Sequence, residues 1–126
     1  MPIEWTADPQ TRRIAAYGLG TVTAADWEAF IKGQVDGGVR GYAKLLDLSQ
    51  ANVEISAAEI LAIARTVNRL ADEAGDPLGP AAFVIDSGTT LERLMQFDDR
   101  TATGHRPMAI FPTRQLALDW LDSLGV

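Results

Sequence analysis

Residues 81–86 read Ala-Ala-Phe-Val-Ile-Asp, a run that stays apolar until its final residue. A strand that is covered on both faces has to be apolar almost throughout, so this run predicts a central strand of a mostly parallel sheet. A second run, residues 43–48 with the sequence Ala-Lys-Leu-Leu-Asp-Leu, has the length of a buried strand. We therefore expect segments 45–48 and 82–85 in the interior of one sheet.

Helix starts flank these two strands. Thr23 can cap a helix whose Asp26 faces the positive end of the helix dipole. Ser56 and Glu59 have the spacing of a capping box, in which each side chain reaches the other's backbone N–H. Thr113 can cap a final helix with a dense apolar stripe. The pattern predicts three capped helices along the chain.

The remaining elements complete one α/β domain over residues 1–126. Strands are predicted near residues 3–5 and over 13–18 and 108–111, and a further helix is predicted from about Thr89 or Thr90. The order is then β-β-α-β-α-β-α-β-α, with about four helices, and right-handed crossovers make the later strands parallel. The stripe of the final helix predicts that Trp120 and Leu121 are largely buried.

Composition narrows the possible functions. The chain has no cysteine, which excludes disulfides, thiolate metal sites and a cysteine nucleophile, and this favours a cytoplasmic location. We expect a soluble protein without a signal peptide, because the first residues do not form a basic region followed by an apolar stretch. We also expect no stable membrane anchor, because no apolar run approaches the length of a membrane span and the basic residues are scattered. The net charge of −6 disfavours nucleic acid as a partner.

Three stretches share features with one known group of domains. They are residues 20–26 (Gly-Thr-Val-Thr-Ala-Ala-Asp), residues 45–49 (Leu-Leu-Asp-Leu-Ser), and the segment from Phe111-Pro112-Thr113 through Ala117 to Trp120-Leu121. Together these stretches resemble the STAS superfamily, and within it the SpoIIAA-like (STAS/SEC14-type) bacterial domains. The resemblance implies a single-layer, mixed and mostly parallel sheet of five strands. It also implies roles in protein-partner binding, small-ligand sensing or lipid association.

The same resemblance draws attention to Ser56. In the family's anti-sigma-factor antagonists, an Asp-Ser-Ser-Gly motif is switched by phosphorylation of its first Ser, and counting from the Asp-Leu-Ser strand places that position at Ser56. Ile55 replaces the Asp of this motif, while Ala57 and Ala58 replace its second Ser and its Gly. The sequence therefore favours a helix N-cap over a phosphorylation switch at this position.

Ligands of open α/β sheets bind beyond the carboxyl ends of the strands. Besides Ser56, the candidate ligand or partner residues are those that follow the two central strands: Asp47, Ser49, Asp86, Ser87, Gly88 and Thr89. The only histidine, His105, is interpreted as part of a solvated loop of mixed charge rather than as a metal ligand near Asp98 and Asp99. We expect no catalytic residues, no metal and no cofactor.

Three hypotheses follow. The first is a non-enzymatic binding or regulatory module, predicted to form a homodimer, that binds a protein partner or a small apolar ligand. The second is a carrier of an apolar or lipid-like molecule, which would need a large apolar cavity between helices and sheet. The third is a small hydrolase or transferase that uses residues 86–89 and His105, which would need His105 to converge with acidic side chains on a pocket.

Overall fold

The computed structural model describes residues 2–74, 79–85 and 108–125. The strands are β1 (Ile3–Asp8), β2 (Arg13–Gly18), β3 (Gly20–Thr23), β4 (Ala43–Asp47), β5 (Ala51–Glu54), β6 (Ala81–Val84) and β7 (Met108–Phe111). The helices are α1 (Ala24–Asp36), α2 (Ala57–Ala74) and α3 (Arg114–Ser123). The helix predicted from about Thr89 or Thr90 lies outside the described residues, so the described part of the chain has three helices.

Five strands form the main sheet in the order β1-β2-β4-β6-β7. β1 and β2 are antiparallel, and the pairs β2–β4, β4–β6 and β6–β7 are parallel. This confirms the mixed, mostly parallel five-stranded sheet, with β4 and β6 in its interior as their apolar sequences predict. Leu48 follows β4 rather than ending it, and its side chain is buried.

A second, smaller sheet was not expected from the sequence. β3 and β5 pair in parallel, and Thr23 lies opposite Glu54 in their register. Each strand has four residues and buries only one side chain fully, Val22 in β3 and Val53 in β5. So short an alternation is a weak signal in sequence.

Helix caps form where the sequence places them. The Thr23 hydroxyl accepts a hydrogen bond from the backbone N–H of Asp26, and the Asp26 carboxylate accepts one from the backbone N–H of Thr23 at 2.9 Å. At α3, the Thr113 hydroxyl accepts from the backbone N–H of Leu116 at 3.3 Å. These bonds satisfy N–H groups that a helix leaves without partners in its first turn.

The larger core lies between the sheet and helices α1 and α2. Its largest fully buried members come from four different elements or their flanks: Ile14, Val22, Leu48 and Ile63. Trp27 of α1 stacks on Phe83 of β6 with ring centroids 5.8 Å apart. This packing fixes β2, β4 and β6 relative to the two helices.

Helix α3 covers the other face over β4 and β6. Leu121 is 1% exposed and packs with Leu45 and Val84, as predicted. Trp120 is only partly buried and lies against Phe111, with ring centroids 5.8 Å apart, so the expectation that it is largely buried is corrected. The reason is its position at the margin of the helix stripe, beside the strand β7, whose residues are all partly exposed.

The part of this second face formed by β1 and β2 carries exposed side chains beside α3. Glu4, Thr6, Ala15 and Tyr17 are exposed there. At one end, the Arg13 guanidinium forms an ion pair with Asp122 in α3 at 2.6 Å. The fold therefore leaves an accessible strip of sheet that leads to the carboxyl ends of β2 and β4.

Candidate functional site

A cleft of about 270 Å3 opens at the carboxyl ends of β2 and β4. We call it the strand-end cleft, and define it by its lining residues Tyr17, Gly18, Leu19, Asp47, Ser49, Gln50 and Arg114. Tyr17 and Leu19 are 43% and 46% exposed, so an apolar wall of the cleft faces solvent.

Asp47 and Ser49, two of the predicted residues, lie together in this cleft. Asp47 Oδ1 accepts hydrogen bonds from the backbone N–H of Ser49 at 3.0 Å and from its hydroxyl at 2.6 Å. A turn is stabilised when an Asp side chain accepts a hydrogen bond from the backbone N–H of the residue two positions later. Here the turn carries the chain from β4 into β5, and one Asp47 oxygen is used for structure.

Tyr17 forms the boundary between the strand-end cleft and a second hollow. Its hydroxyl donates a hydrogen bond to Glu4 Oε2 on β1. This bond, together with the negative charge of Glu4, raises the pKa of Tyr17 because both favour the protonated phenol. This hydrogen bond restrains the ring at the carboxyl end of β2.

The second hollow, which we call the sheet-face groove, lies over β1 and β2 and has a volume of about 550 Å3. Its lining comprises Ile3, Glu4, Trp5, Thr6, Ala15, Ala16, Tyr17 and Arg114. It shares Tyr17 and Arg114 with the strand-end cleft. The two hollows are therefore neighbours along one continuous surface.

Ser56 lies elsewhere, after β5 and at the start of α2. Its hydroxyl accepts from the backbone N–H of Glu59 at 3.1 Å, and Glu59 Oε1 accepts from the backbone N–H of Ser56 at 2.9 Å. The predicted capping box is present. The hydrogen bonds from Ser56 lower the pKa of the Glu59 carboxyl, the backbone N–H having the larger effect. Ser56 is not among the residues that line the strand-end cleft.

The other predicted site residues belong to segments that the structure does not describe. Asp86, Ser87, Gly88, Thr89 and His105 lie outside the described residues, and so do the neighbours considered for a metal site, Asp98 and Asp99. Within the described ranges, no three His, Asp or Glu side chains are grouped as metal ligands. Residues 86–89 and His105, which the hydrolase hypothesis uses, all lie in these undescribed segments.

The cavity between α1, α2 and the sheet bears on the carrier hypothesis. Among the described residues it offers about 30 Å3, and Gln34 and Lys44 add polar groups to its otherwise apolar lining. That space suits one or two waters, whereas pockets for drug-sized ligands run to roughly 300–1,000 Å3. The described part of this layer thus gives no support to a lipid-sized site.

Sequence reasoning missed Tyr17, Leu19 and Arg114. The alternation in residues 13–18 places Tyr17 on the face opposite Ile14 and Ala16, which was a usable signal. Tyr17 lies next to Asp47 because the register of β2 and β4 pairs the two residues directly. Arg114 joins them only because α3 starts beside the same strand ends.

Comparison with known proteins gives matches in structure alone. No protein-family model matches the sequence, and no curated protein matches it significantly. An uncharacterised DUF3478-family protein with a SpoIIAA-like fold from Shewanella loihica PV-4 has a TM-score of 0.61 and 16% identity, over 94% of this chain and 93% of that chain.

Two further solved structures are similar. The anti-sigma factor antagonist SpoIIAA in its unphosphorylated form has a TM-score of 0.55 and 11% identity, over 95% of this chain and 97% of that chain. An anti-sigma factor antagonist from Mycobacterium paratuberculosis has a TM-score of 0.55 and 15% identity, over 95% of this chain and 94% of that chain. At such identities the likeness concerns the fold.

The class is therefore an α/β domain with a mixed sheet between two helical layers. More narrowly, its fold is the SpoIIAA-like fold, as the sequence resemblance implied. None of the helices in the described ranges combines the length and apolarity needed to cross a membrane.

Proposed function

We propose that the chain is a non-enzymatic regulatory domain that binds a protein partner at the strand-end cleft. The observation that carries this proposal is the exposed apolar wall of Tyr17 and Leu19 at the carboxyl ends of β2 and β4. Aromatic side chains with partial exposure are favoured at protein interfaces. Two structural neighbours are anti-sigma factor antagonists, and this supports a regulatory role by analogy of fold.

Ser49 and Asp47 contribute to this surface by fixing its shape. The hydrogen bonds from Ser49 hold the turn after β4, so contacts within the fold restrain the rim of the cleft before a partner binds. A preorganised surface loses less conformational freedom on binding. In this proposal residues 1–126 act as one cytoplasmic domain, and a homodimer remains a prediction that light scattering would test.

Capture from lysate of the cells that express the protein tests the proposal. The immobilised wild type is compared with Leu19→Lys, which places a charge on the apolar wall, and with Leu124→Lys. Leu124 is 37% exposed at the far end of α3, so it is a matched control. We expect a stoichiometric partner that Leu19→Lys loses and Leu124→Lys retains, with unchanged circular dichroism melts. Identical capture by all three proteins would contradict the proposal.

A further inference from the structure

Three residues on adjacent strands form a row across the sheet. Glu4 of β1 is the register partner of Tyr17 in β2, and Tyr17 is the register partner of Asp47 in β4. Directly opposed residues in neighbouring strands carry their side chains on the same face, with Cβ atoms roughly 5 Å apart. The row therefore places one aromatic ring between two carboxylates. We call it the Glu4–Tyr17–Asp47 row.

Each carboxylate of the row has one oxygen that is used within the fold. Glu4 Oε2 accepts from the Tyr17 hydroxyl, and Asp47 Oδ1 accepts from Ser49. Neither carboxylate makes another hydrogen bond or ion pair with the described residues. The second oxygen of each can accept a hydrogen bond from an incoming group.

The cation among the lining residues of the two hollows, Arg114, does not neutralise the row. Arg114 borders both hollows, but it makes no ion pair or side-chain hydrogen bond with any described residue. Two negative charges and one positive charge thus line this surface. The whole chain has a net charge of −6, so its long-range field also attracts cations.

From this arrangement we infer that the Glu4–Tyr17–Asp47 row recognises a lysine or arginine side chain on a segment of the protein partner. A cation over a tyrosine ring is attracted by the ring's electrons, and two flanking carboxylates add charge-assisted hydrogen bonds. The Glu4 bond holds the ring in place for such contact. This inference rests on the proposed function and specifies the chemistry of the partner.

The sheet-face groove indicates a chain segment rather than a free amine. It continues from the row past Thr6 and Ala15, whose short side chains leave room along β1 and β2. A basic residue at the row would therefore have neighbours of its own chain lying in the groove. Electrostatic complementarity of this kind governs specificity and association rate more than affinity.

Titration of 15N-labelled protein with defined peptides tests the inference. Three acetylated and amidated peptides of equal length differ only in a central Lys, Gln or Glu between leucines, and butylamine serves as the free amine. We expect the Lys peptide to give saturable shifts at the amides of Tyr17, Leu19 and Ser49, with clearly weaker binding of the Gln and Glu peptides. Butylamine should bind far more weakly than the Lys peptide.

Variants locate the effect at the row. Glu4→Gln and Asp47→Asn remove charge but keep an acceptor for Tyr17 and Ser49. Each should lower the affinity for the Lys peptide by roughly two- to fivefold. Arg114→Gln removes a charge that repels the lysine, and it should raise the affinity for the Lys peptide by about two- to fivefold. Glu28→Gln, at an exposed carboxylate on α1, is the control and should change nothing.

The outcomes separate the inference from the proposed function. Equal or tighter binding of the Gln or Glu peptide at the same amides would overturn the inference and leave the partner surface standing. Equal binding of butylamine would overturn the assignment to a protein segment. If no peptide shifts these amides, both the inference and the proposed partner surface fail.

Discussion

Thr23 and Glu54 lie opposite each other in the register of β3 and β5, so α1 and α2 begin side by side. Both helices start with a capping box, Thr23 with Asp26 and Ser56 with Glu59. The ribbon of β3 and β5 therefore aligns two helix N-termini and ties both to the main sheet through the residues that follow β2 and β4.

Ser56 is expected to act as a cap rather than as a switch. Ser56→Ala should lower the free energy of unfolding by about 0.5–2 kcal/mol, because an N–H group of α2 loses its acceptor. Ser56→Asp should be nearly neutral, since Asp also caps, and it should leave the captured partner unchanged. Urea denaturation and lysate capture measure the two effects. Loss of a specific partner by Ser56→Asp at an unchanged melting temperature would restore a phosphorylation switch.

Glu59 predicts an acid-dependent part of this stability. Its carboxyl has a pKa below the ordinary 4.5 in the folded protein, because the carboxylate accepts hydrogen bonds from Ser56. The stabilisation is therefore fully present above the unfolded pKa and is lost as the pH falls through the folded pKa. Glu59→Gln should be less stable than wild type near neutral pH, and the difference should shrink in acid. If wild type and Glu59→Gln have the same free energy of unfolding at every pH, the Glu59 carboxylate contributes nothing to stability.

Leu121 and Trp120 should differ in the cost of truncation, although they are neighbours on α3. Leu121→Ala should cost about 2–5 kcal/mol, the range for deleting a fully buried aliphatic side chain. Trp120→Ala should fall below the roughly 3–5 kcal/mol typical of a buried aromatic, because the ring is partly exposed. Denaturant melts of both variants measure this. A larger loss for Trp120→Ala than for Leu121→Ala would show that the helix packs differently.

Tyr17 should titrate at a higher pH than a free tyrosine. The hydrogen bond to Glu4 and the Glu4 charge raise its pKa, so the stabilisation is present below the unfolded pKa and is lost as the pH rises through the folded one. In a Tyr42→Phe background, the tyrosinate absorbance reports Tyr17 alone, since the chain has two tyrosines. Glu4→Gln should return the midpoint toward the ordinary value. An unchanged midpoint would mean that the bond is not formed in solution.

The sequence was informative where one pattern determined one element. The apolar runs around Leu45 and Phe83 predicted interior strands, and Thr23, Ser56 and Thr113 marked three helix starts correctly. In these places local chemistry is sufficient, because a cap or a buried strand leaves few alternatives. The small ribbon was missed because Val22 and Val53 are isolated buried residues within four-residue strands.

The site was less predictable than the fold. Asp47 and Ser49 could be placed at the end of a strand from sequence order. Tyr17 reaches Asp47 only through the parallel register of β2 and β4, and such a register between segments distant in sequence has no local signature. The position of Arg114 in the site depends in addition on where the last helix crosses the sheet.

The strand order has a consequence for how the chain acquires its structure. β1 and β2 are joined by a short turn, whereas the parallel ladders bring together Arg13 with Ala43 and Lys44 with Ala81. Closing such long loops costs entropy before the contacts compensate it, so refolding should be slow and the hairpin should form first. During that delay β2 presents an unpaired edge to other chains. Refolding yield should accordingly fall as protein concentration rises, with light scattering developing before native fluorescence.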